Sequence, residues 1–280
     1  MTSNNTYRQI AVFALATGLC AGGGVLTMVL SESPAALWLR HAIAWLLGAV
    51  MAVALVRMPQ RLWSGWPLIA AAMIALSFGH PGSMGVHRWV GMGPVQFNAA
   101  ALVLPLTVVV LGRQAQLRWW IIGMTAAIGL MLFIQPDASM FSALAVALMI
   151  AVTLSGRPTF VKTIAVFALG VLIWAVWQRH DPLRPVAEVE GIVSLAAGHS
   201  VWLAAAIVAA VALTCAVPGG IALKNPDLRR SGLMLSAFLS VMSVSAAIGV
   251  FPVPLAGYGL SYVLGLWVAI AAFLAPDDTK

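Results

Sequence analysis

The stretch Arg179-His180-Asp181-Pro182-Leu183-Arg184-Pro185-Val186-Ala187-Glu188-Val189-Glu190-Gly191 sets two arginines, two glutamates and an aspartate within twelve positions. Those residue types supply a carboxylate that can accept a proton and cations that can clamp a pyrophosphate, although a solvated loop is also charged. A second polar stretch, His80 to Asn98 (HPGSMGVHRWVGMGPVQFN), places Arg88 beside Trp89 and reaches Gln96 where the next apolar run begins. A cation next to an amphipathic ring suits a lipid-linked, phosphate-bearing ligand at a membrane interface, and equally an interfacial anchor. Gln135-Pro136-Asp137 combines proline and a carboxylate at a helix start. Asp137 either serves that helix end or lines a polar cavity. Arg40 stands inside an apolar run, where it either faces such a cavity or snorkels to the interface.

Other chemistries lack their residues. There is no His-x-x-x-His or Cys/His cluster for a protein-bound metal, no phosphate-binding glycine loop of the nucleotide-hydrolase type and no nucleophile elbow. Cys20 and Cys215 sit inside apolar runs and read as buried thiols.

The elements that must position these groups are membrane spans. Hydrophobic residues make up 62% of 280 positions and charged residues 8%, far from a soluble domain. A net charge of +7 would suggest nucleic acid in a soluble protein, but here most of the basic residues sit in short loops, where they set topology, so no nucleic-acid partner is expected. Apolar runs long enough to cross about 30 Å of hydrocarbon number ten. They cover 10–30, 36–56, 64–79, 97–112, 119–134, 138–155, 160–178, 192–216, 231–250 and 256–275. The first lacks a cleavage site after MTSNNTYRQ and reads as a retained span. Its Gly22, Gly23 and Gly24 point to close helix packing. No tandem repeat or linker divides the chain, so residues 1–280 read as a single membrane domain.

With the loops taken alternately, Arg8, Arg57, Arg61, Arg113, Arg118, Arg157, Lys162, Lys224, Arg229, Arg230 and Lys280 fall on one side and Arg88, Arg179 and Arg184 on the other. That asymmetry puts both termini in the cytoplasm. The loops His80–Asn98 and Arg179–Gly191 then face outward, along with Glu32, Asp137, Asp181, Glu188 and Glu190.

Taken in order, these stretches resemble the SEDS family (shape, elongation, division and sporulation), whose members RodA and FtsW are peptidoglycan glycosyltransferases. The resemblance runs almost the full chain. Trp38-Leu39-Arg40-His41 through Trp45 to Arg57 and Arg61 resembles the family's second helix, which carries Arg-Gln where Arg40-His41 stand. Gly85-Val86-His87-Arg88-Trp89-Val90 with Gly93 and Gln96 resembles its Gly-x-x-Arg-Trp-Ile…Gly…Gln-Pro-Ser-Glu loop. Gln135-Pro136-Asp137 matches its Gln-Pro-Asp. Phe251-Pro252-Val253-Pro254-Leu255-Ala256-Gly257-Tyr258-Gly259-Leu260-Ser261 resembles its Leu-Pro-Phe-Ile-Ser-Tyr-Gly-Gly-Ser. The family's Pro-Glu-Ala-His-Thr-Asp, ending in the catalytic aspartate, aligns with Pro185 to Glu190. Three departures stand out: Ala99 and Leu102 occupy the positions of a family Glu and Lys, the long glycine-rich external loop after the seventh span is missing, and the loop before Pro252 is short.

The resemblance implies an all-α polytopic membrane protein of about ten transmembrane helices, a SEDS-like bundle with an outward-facing cavity in a bacterial inner membrane. It implies polymerisation of an undecaprenyl-pyrophosphate-linked disaccharide (lipid II) into cell-wall glycan. Glu190 would act as base, and Arg40, Arg88, Gln96 and Asp137 would bind substrate. No tightly bound cofactor is implied; a divalent cation (Mg or Mn) could assist the leaving group without a protein cage. The implied partner is a transpeptidase penicillin-binding protein whose transmembrane helix packs against the bundle. The departures keep two alternatives open, a non-catalytic SEDS-like scaffold or regulator of envelope assembly and a lipid-linked-sugar transporter.

Overall fold

The computed structural model describes residues 3–93, 95–114, 118–249 and 251–276. Lys280, counted above among the basic residues that set topology, and Val250 at the end of the ninth expected span lie outside them. Among the described residues the chain forms α1 (Ser3–Leu30), α2 (Ala35–Leu55), α3 (Trp66–Ser77), a hairpin of β1 (Trp89–Met92) and β2 (Val95–Asn98), then α4 (Ala99–Arg113), α5 (Trp119–Ile134), α6 (Ala138–Thr153), α7 (Thr159–Trp177), α8 (Ile192–His199), α9 (Val201–Leu223), α10 (Arg229–Ile248) and α11 (Leu260–Leu274). Helices over Asn5–Leu30, α2, α7, α9 and Pro226–Ile248 are long and apolar enough to cross a membrane, while α4, α5, α6 and α11 are shorter and equally apolar.

Nine of the ten expected spans each correspond to one helix. The eighth does not. It divides into α8 and α9 at Ser200, whose backbone is extended (φ −160°, ψ 128°), and α9 then runs through Pro218 to Leu223. Hydropathy is blind to such a break because both halves are apolar; the polar triplet Gly198-His199-Ser200 is its only trace in the sequence. The hairpin was also unexpected. Trp89 pairs with Asn98 and Val90 with Phe97 in antiparallel register, so the strands satisfy backbone groups in a stretch without helical periodicity. Asn98 then caps α4, its side chain accepting from Ala101 N–H at 3.0 Å, which is why α4 begins at Ala99 rather than 97.

Helix α4 is the centre of the bundle, buried along nearly its whole length and packed against α3, α10 and α11. Pro105 inside it deprives the Ala101 carbonyl of its usual intrahelical donor. Gly265 of α11 lies against that carbonyl so closely that a Cβ there would overlap it. The expected close packing at the first helix is present at two of three glycines: Gly23 meets Ile207 of α9 and Gly24 meets the Ala256 carbonyl, whereas Gly22 faces open space. Trp267 of α11 is fully buried, set edge-on against Phe13 and Trp45, with Gly48 making room for its ring. Cys20 and Cys215 are free and buried. By contrast α7 buries only Val176 and turns Phe160, Ile164, Phe167 and Trp174 outward, as a helix bathed in hydrocarbon does.

Side-chain bonds sort the loops to two ends of the bundle. At one end Gln60 donates to the Ala272 carbonyl, Arg113 to Ala275 and Arg230 to Gln114. The other end gathers Ser31–Ser33, the hairpin, Gln135–Asp137, the segment 178–191 and the segment 251–259.

A charged cleft between the hairpin and the 178–191 segment

Arg88 stands at the start of β1 and is 6% exposed. Its Nη2 donates to Asp181 Oδ2 at 2.7 Å, to the Pro136 carbonyl at 2.8 Å and to the Gln135 carbonyl at 3.3 Å. Its Nε lies 3.4 Å from Asp137 Oδ2, an ion pair without hydrogen-bond geometry. Burial works against the guanidinium charge, but Asp137 and Asp181 outweigh it and hold the pKa above the ordinary arginine value. Asp137 also caps α6, accepting from Met140 N–H at 3.2 Å, so its helix-end and polar-lining readings hold together.

Gln135 anchors the loop that carries Arg88. Its Nε2 donates to Ser77 Oγ at 2.8 Å and to the His87 carbonyl at 2.5 Å, and Ser77 Oγ also reaches the His87 carbonyl. The Gln-Pro-Asp triplet therefore acts as one unit: its glutamine holds the arginine's neighbour, its proline carbonyl accepts from the arginine, and its aspartate faces the arginine's charge.

Glu190 closes a turn in which the N–H groups of Val189, Glu190 and Gly191 all point to the Val186 carbonyl. Its carboxylate accepts from Val186 N–H at 2.8 Å. The turn is fixed to the stretch before α11 by Val253 N–H to the Val189 carbonyl and Tyr258 N–H to the Glu188 carbonyl. Glu188 points elsewhere, accepting from Ser33 Oγ at 3.0 Å. Partial burial raises the Glu190 pKa above the usual glutamate value, offset in part by the Val186 N–H, its own N–H and the charge of Arg88, while Asp181 adds to the rise.

Arg88, Trp89, Asn98, Asp137, Arg184, Glu190 and Tyr262 line one cleft of about 40 Å³, with Leu183, Phe251 and Pro252 as its apolar wall. That volume holds a few waters and no sugar. Of the residues assigned from sequence, Arg88, Asp137 and Glu190 share this cleft. Arg40 is exposed on α2 and Gln96 is exposed on β2, and neither lines it. The neighbour of Arg40, His41, is the buried one, with Nε2 2.8 Å from the Leu255 carbonyl. The sequence placed Arg184 only among the cations of the 179–191 stretch that could clamp a pyrophosphate, gave no role to Asn98 or Tyr262, and did not pair Asp181 with Arg88. Asp181 and Arg184 belong to the charged stretch at 179–191, but the sequence has no signal for Tyr262 beyond its place beside Ser261, whose hydroxyl accepts from Asn98 N–H at 2.8 Å. Among the described residues there is no group of three or more His, Cys, Asp or Glu side chains that could hold a metal ion.

The architecture and the charged cleft among its loops define a polytopic α-helical membrane protein. No protein-family model and no curated protein matches the chain. Among solved structures, an aspartate-to-alanine mutant of the rod shape determining protein RodA of Thermus thermophilus aligns with a TM-score of 0.70 at 19% identity, covering 93% of this chain and 96% of RodA. The crystal structure of RodA itself aligns at 0.64 and 19%, covering 95% and 96%. A chain from a peptidoglycan synthase complex, solved to explain the structural coordination of polymerization and crosslinking, aligns at 0.63 and 19%, covering 95% and 97%. The chain has the RodA fold over almost its whole length, as its resemblance to the SEDS family implied.

Proposed function

We propose that the protein is a SEDS-type glycosyltransferase that polymerises an undecaprenyl-pyrophosphate-linked disaccharide for cell-wall synthesis. The observation that carries this reading is that Glu190 and Arg88, from segments far apart in sequence, line one cleft at the loop end of a RodA-like bundle. A sugar hydroxyl of the acceptor attacks the anomeric carbon of the donor. Glu190 takes the hydroxyl proton as the new C–O bond forms, and the bond to the pyrophosphate breaks with its electron pair leaving on the pyrophosphate oxygen. Arg88 and Arg184 face that developing charge from the same cleft. Arg184 replaces Arg40 as the second cation in this assignment, because Arg40 does not line the cleft.

In this reading the cleft end faces outward from a bacterial inner membrane, with both termini cytoplasmic, following the basic-residue asymmetry. The partner is a transpeptidase penicillin-binding protein, in keeping with the likeness to a chain of a peptidoglycan synthase complex that couples polymerization to crosslinking. A non-catalytic scaffold is the second reading, favoured by Ala99 and Leu102 at the family's charged positions and by a cleft too small for a sugar. The deciding experiment is a glycan-chain assay of the purified, reconstituted protein with lipid-linked disaccharide, alone and with a transpeptidase. Polymer supports the enzyme. Well-folded protein that yields none under either condition supports the scaffold.

A further inference from the structure

Two carboxylates hold Arg88, and they are held very differently themselves. Asp137 is fixed at the start of α6 by its cap to Met140 N–H and is as buried as the arginine, at 4% side-chain exposure. Asp181 makes the shorter contact, 2.7 Å, yet is 19% exposed and belongs to a stretch, 179–186, without helix or strand. Among the described residues, the only other bond of its carboxylate is local, accepting from Leu183 N–H at 3.2 Å. Arg179 is held over the Phe133 ring and donates to the Ile134 carbonyl, and residues 188 and 189 are pinned by Tyr258, Val253 and Ser33, so the loosely held strap is 180–185, between two fixed points and just ahead of Glu190.

The geometry points to Asp181 as a displaceable internal ligand: its carboxylate occupies the face of Arg88 that a diphosphate takes, and the strap 180–185 withdraws when a diphosphate-bearing ligand binds. Three observations meet in this. Arg88 is almost wholly buried and Asp137 faces its Nε without a hydrogen bond, so Asp181 is the carboxylate that its Nη2 bonds when no ligand is bound. The cleft beside it has room for only a few waters, so a diphosphate enters only if something moves. Leu183 and Arg184 of the same strap line the cleft, so withdrawing Asp181 enlarges the space in front of Arg88 and leaves Arg184 free to meet the second phosphate. The resting protein is thereby closed to weak anions, because any ligand must outcompete a carboxylate tethered to the same chain.

This inference rests on the diphosphate-handling reading of the cleft, but its test is independent of glycan synthesis. Inorganic pyrophosphate is titrated calorimetrically into the full-length protein in detergent. Asp181→Asn removes the competing charge and keeps the side-chain shape, and it is expected to bind pyrophosphate roughly tenfold or more tightly than wild type, with Arg88→Gln losing the binding. In a background without Cys20 and Cys215, Leu183→Cys is expected to react faster with a thiol reagent at saturating pyrophosphate. Equal or weaker binding by Asp181→Asn, or no binding by either protein, overturns the proposal. If Asp181→Asn does not fold, unchanged or slower labelling of Leu183→Cys with pyrophosphate overturns it instead. Tighter binding by Asp181→Asn together with failure of the glycan assay removes the enzyme and keeps the switch; the reverse pattern removes the switch alone.

Discussion

The backbone N–H of Tyr258 donates to the Glu188 carbonyl at 2.8 Å, and this bond seats the turn ending in Glu190 on the stretch that leads into α11. One residue earlier, Gly257 lies so close to the Val189 carbonyl that an added Cβ would overlap backbone atoms. Gly257→Ala is therefore expected to push the two stretches apart and shift Glu190. A displacement of about 1 Å would cost about 10²-fold in glycan formation. Overpacking would lower stability by about 1–3 kcal/mol, read as a lower melting temperature in detergent. Unchanged turnover in Gly257→Ala would mean that the turn does not position Glu190.

Removing Arg88 leaves Asp137 and Asp181 facing each other without a cation. Breaking a buried ion pair from one side costs about 3–5 kcal/mol, so Arg88→Ala is expected to be strongly destabilised. Arg88→Lys keeps the charge and one nitrogen for the Pro136 carbonyl and Asp181, but it loses the Nε that faces Asp137, and should fall between the two. Thermal unfolding of the three proteins orders them; an Arg88→Ala protein as stable as wild type would show that the network adds nothing to the fold.

Glu190 should also leave a pH signature. Its folded pKa is raised above the ordinary glutamate value, chiefly by burial, so between those two values the folded chain binds more protons than the unfolded one. Stability should then fall as pH rises from the ordinary value through the raised one, and level off above it. Glu190→Gln does not titrate and should lack this component, so the difference in melting temperature between variant and wild type grows with pH across the window. A constant difference would contradict the assigned environment.

Much of the bundle was legible because lipid imposes one simple rule: a long apolar run must be a helix that satisfies its own backbone. Nine helices followed from that. The rule fails where apolar character continues through a backbone break, as at Ser200, and where glycine-rich backbone satisfies itself as a hairpin, as at Trp89–Asn98. In the cleft, Arg88, Asp137 and Glu190 were visible as charges that avoid lipid, a cost that identifies ionisable groups but does not pair them. Asp181 as the partner of Arg88 depends on how the 180–185 strap folds back, and Tyr262 on where α11 begins; neither is written in hydropathy. Arg40 shows the limit of the cost argument, since an exposed position near a helix end meets it without lining the cleft.

The orientation is tested with single cysteines in a background lacking Cys20 and Cys215. Cysteines at Ser83 and Pro185, both exposed at the cleft end, are expected to react with an impermeant reagent in intact cells. A cysteine at Ser64, exposed at the opposite end, should react only after permeabilisation. The reverse pattern would invert the topology and place the cleft in the cytoplasm.

The central claim is that Glu190 is the general base of a glycan polymerase, and the most direct measurement compares wild type with Glu190→Gln in glycan-chain formation from lipid-linked disaccharide. Glutamine keeps the size and can still accept from Val186 N–H, but it cannot take the acceptor's proton. Product formation should fall by about 10²–10⁴-fold with folding intact. Glu190→Asp should retain more than Glu190→Gln, and Glu188→Gln should change little, because the Glu188 carboxylate faces Ser33 rather than the cleft. Equal product from wild type and Glu190→Gln would contradict the assignment of Glu190 as the base.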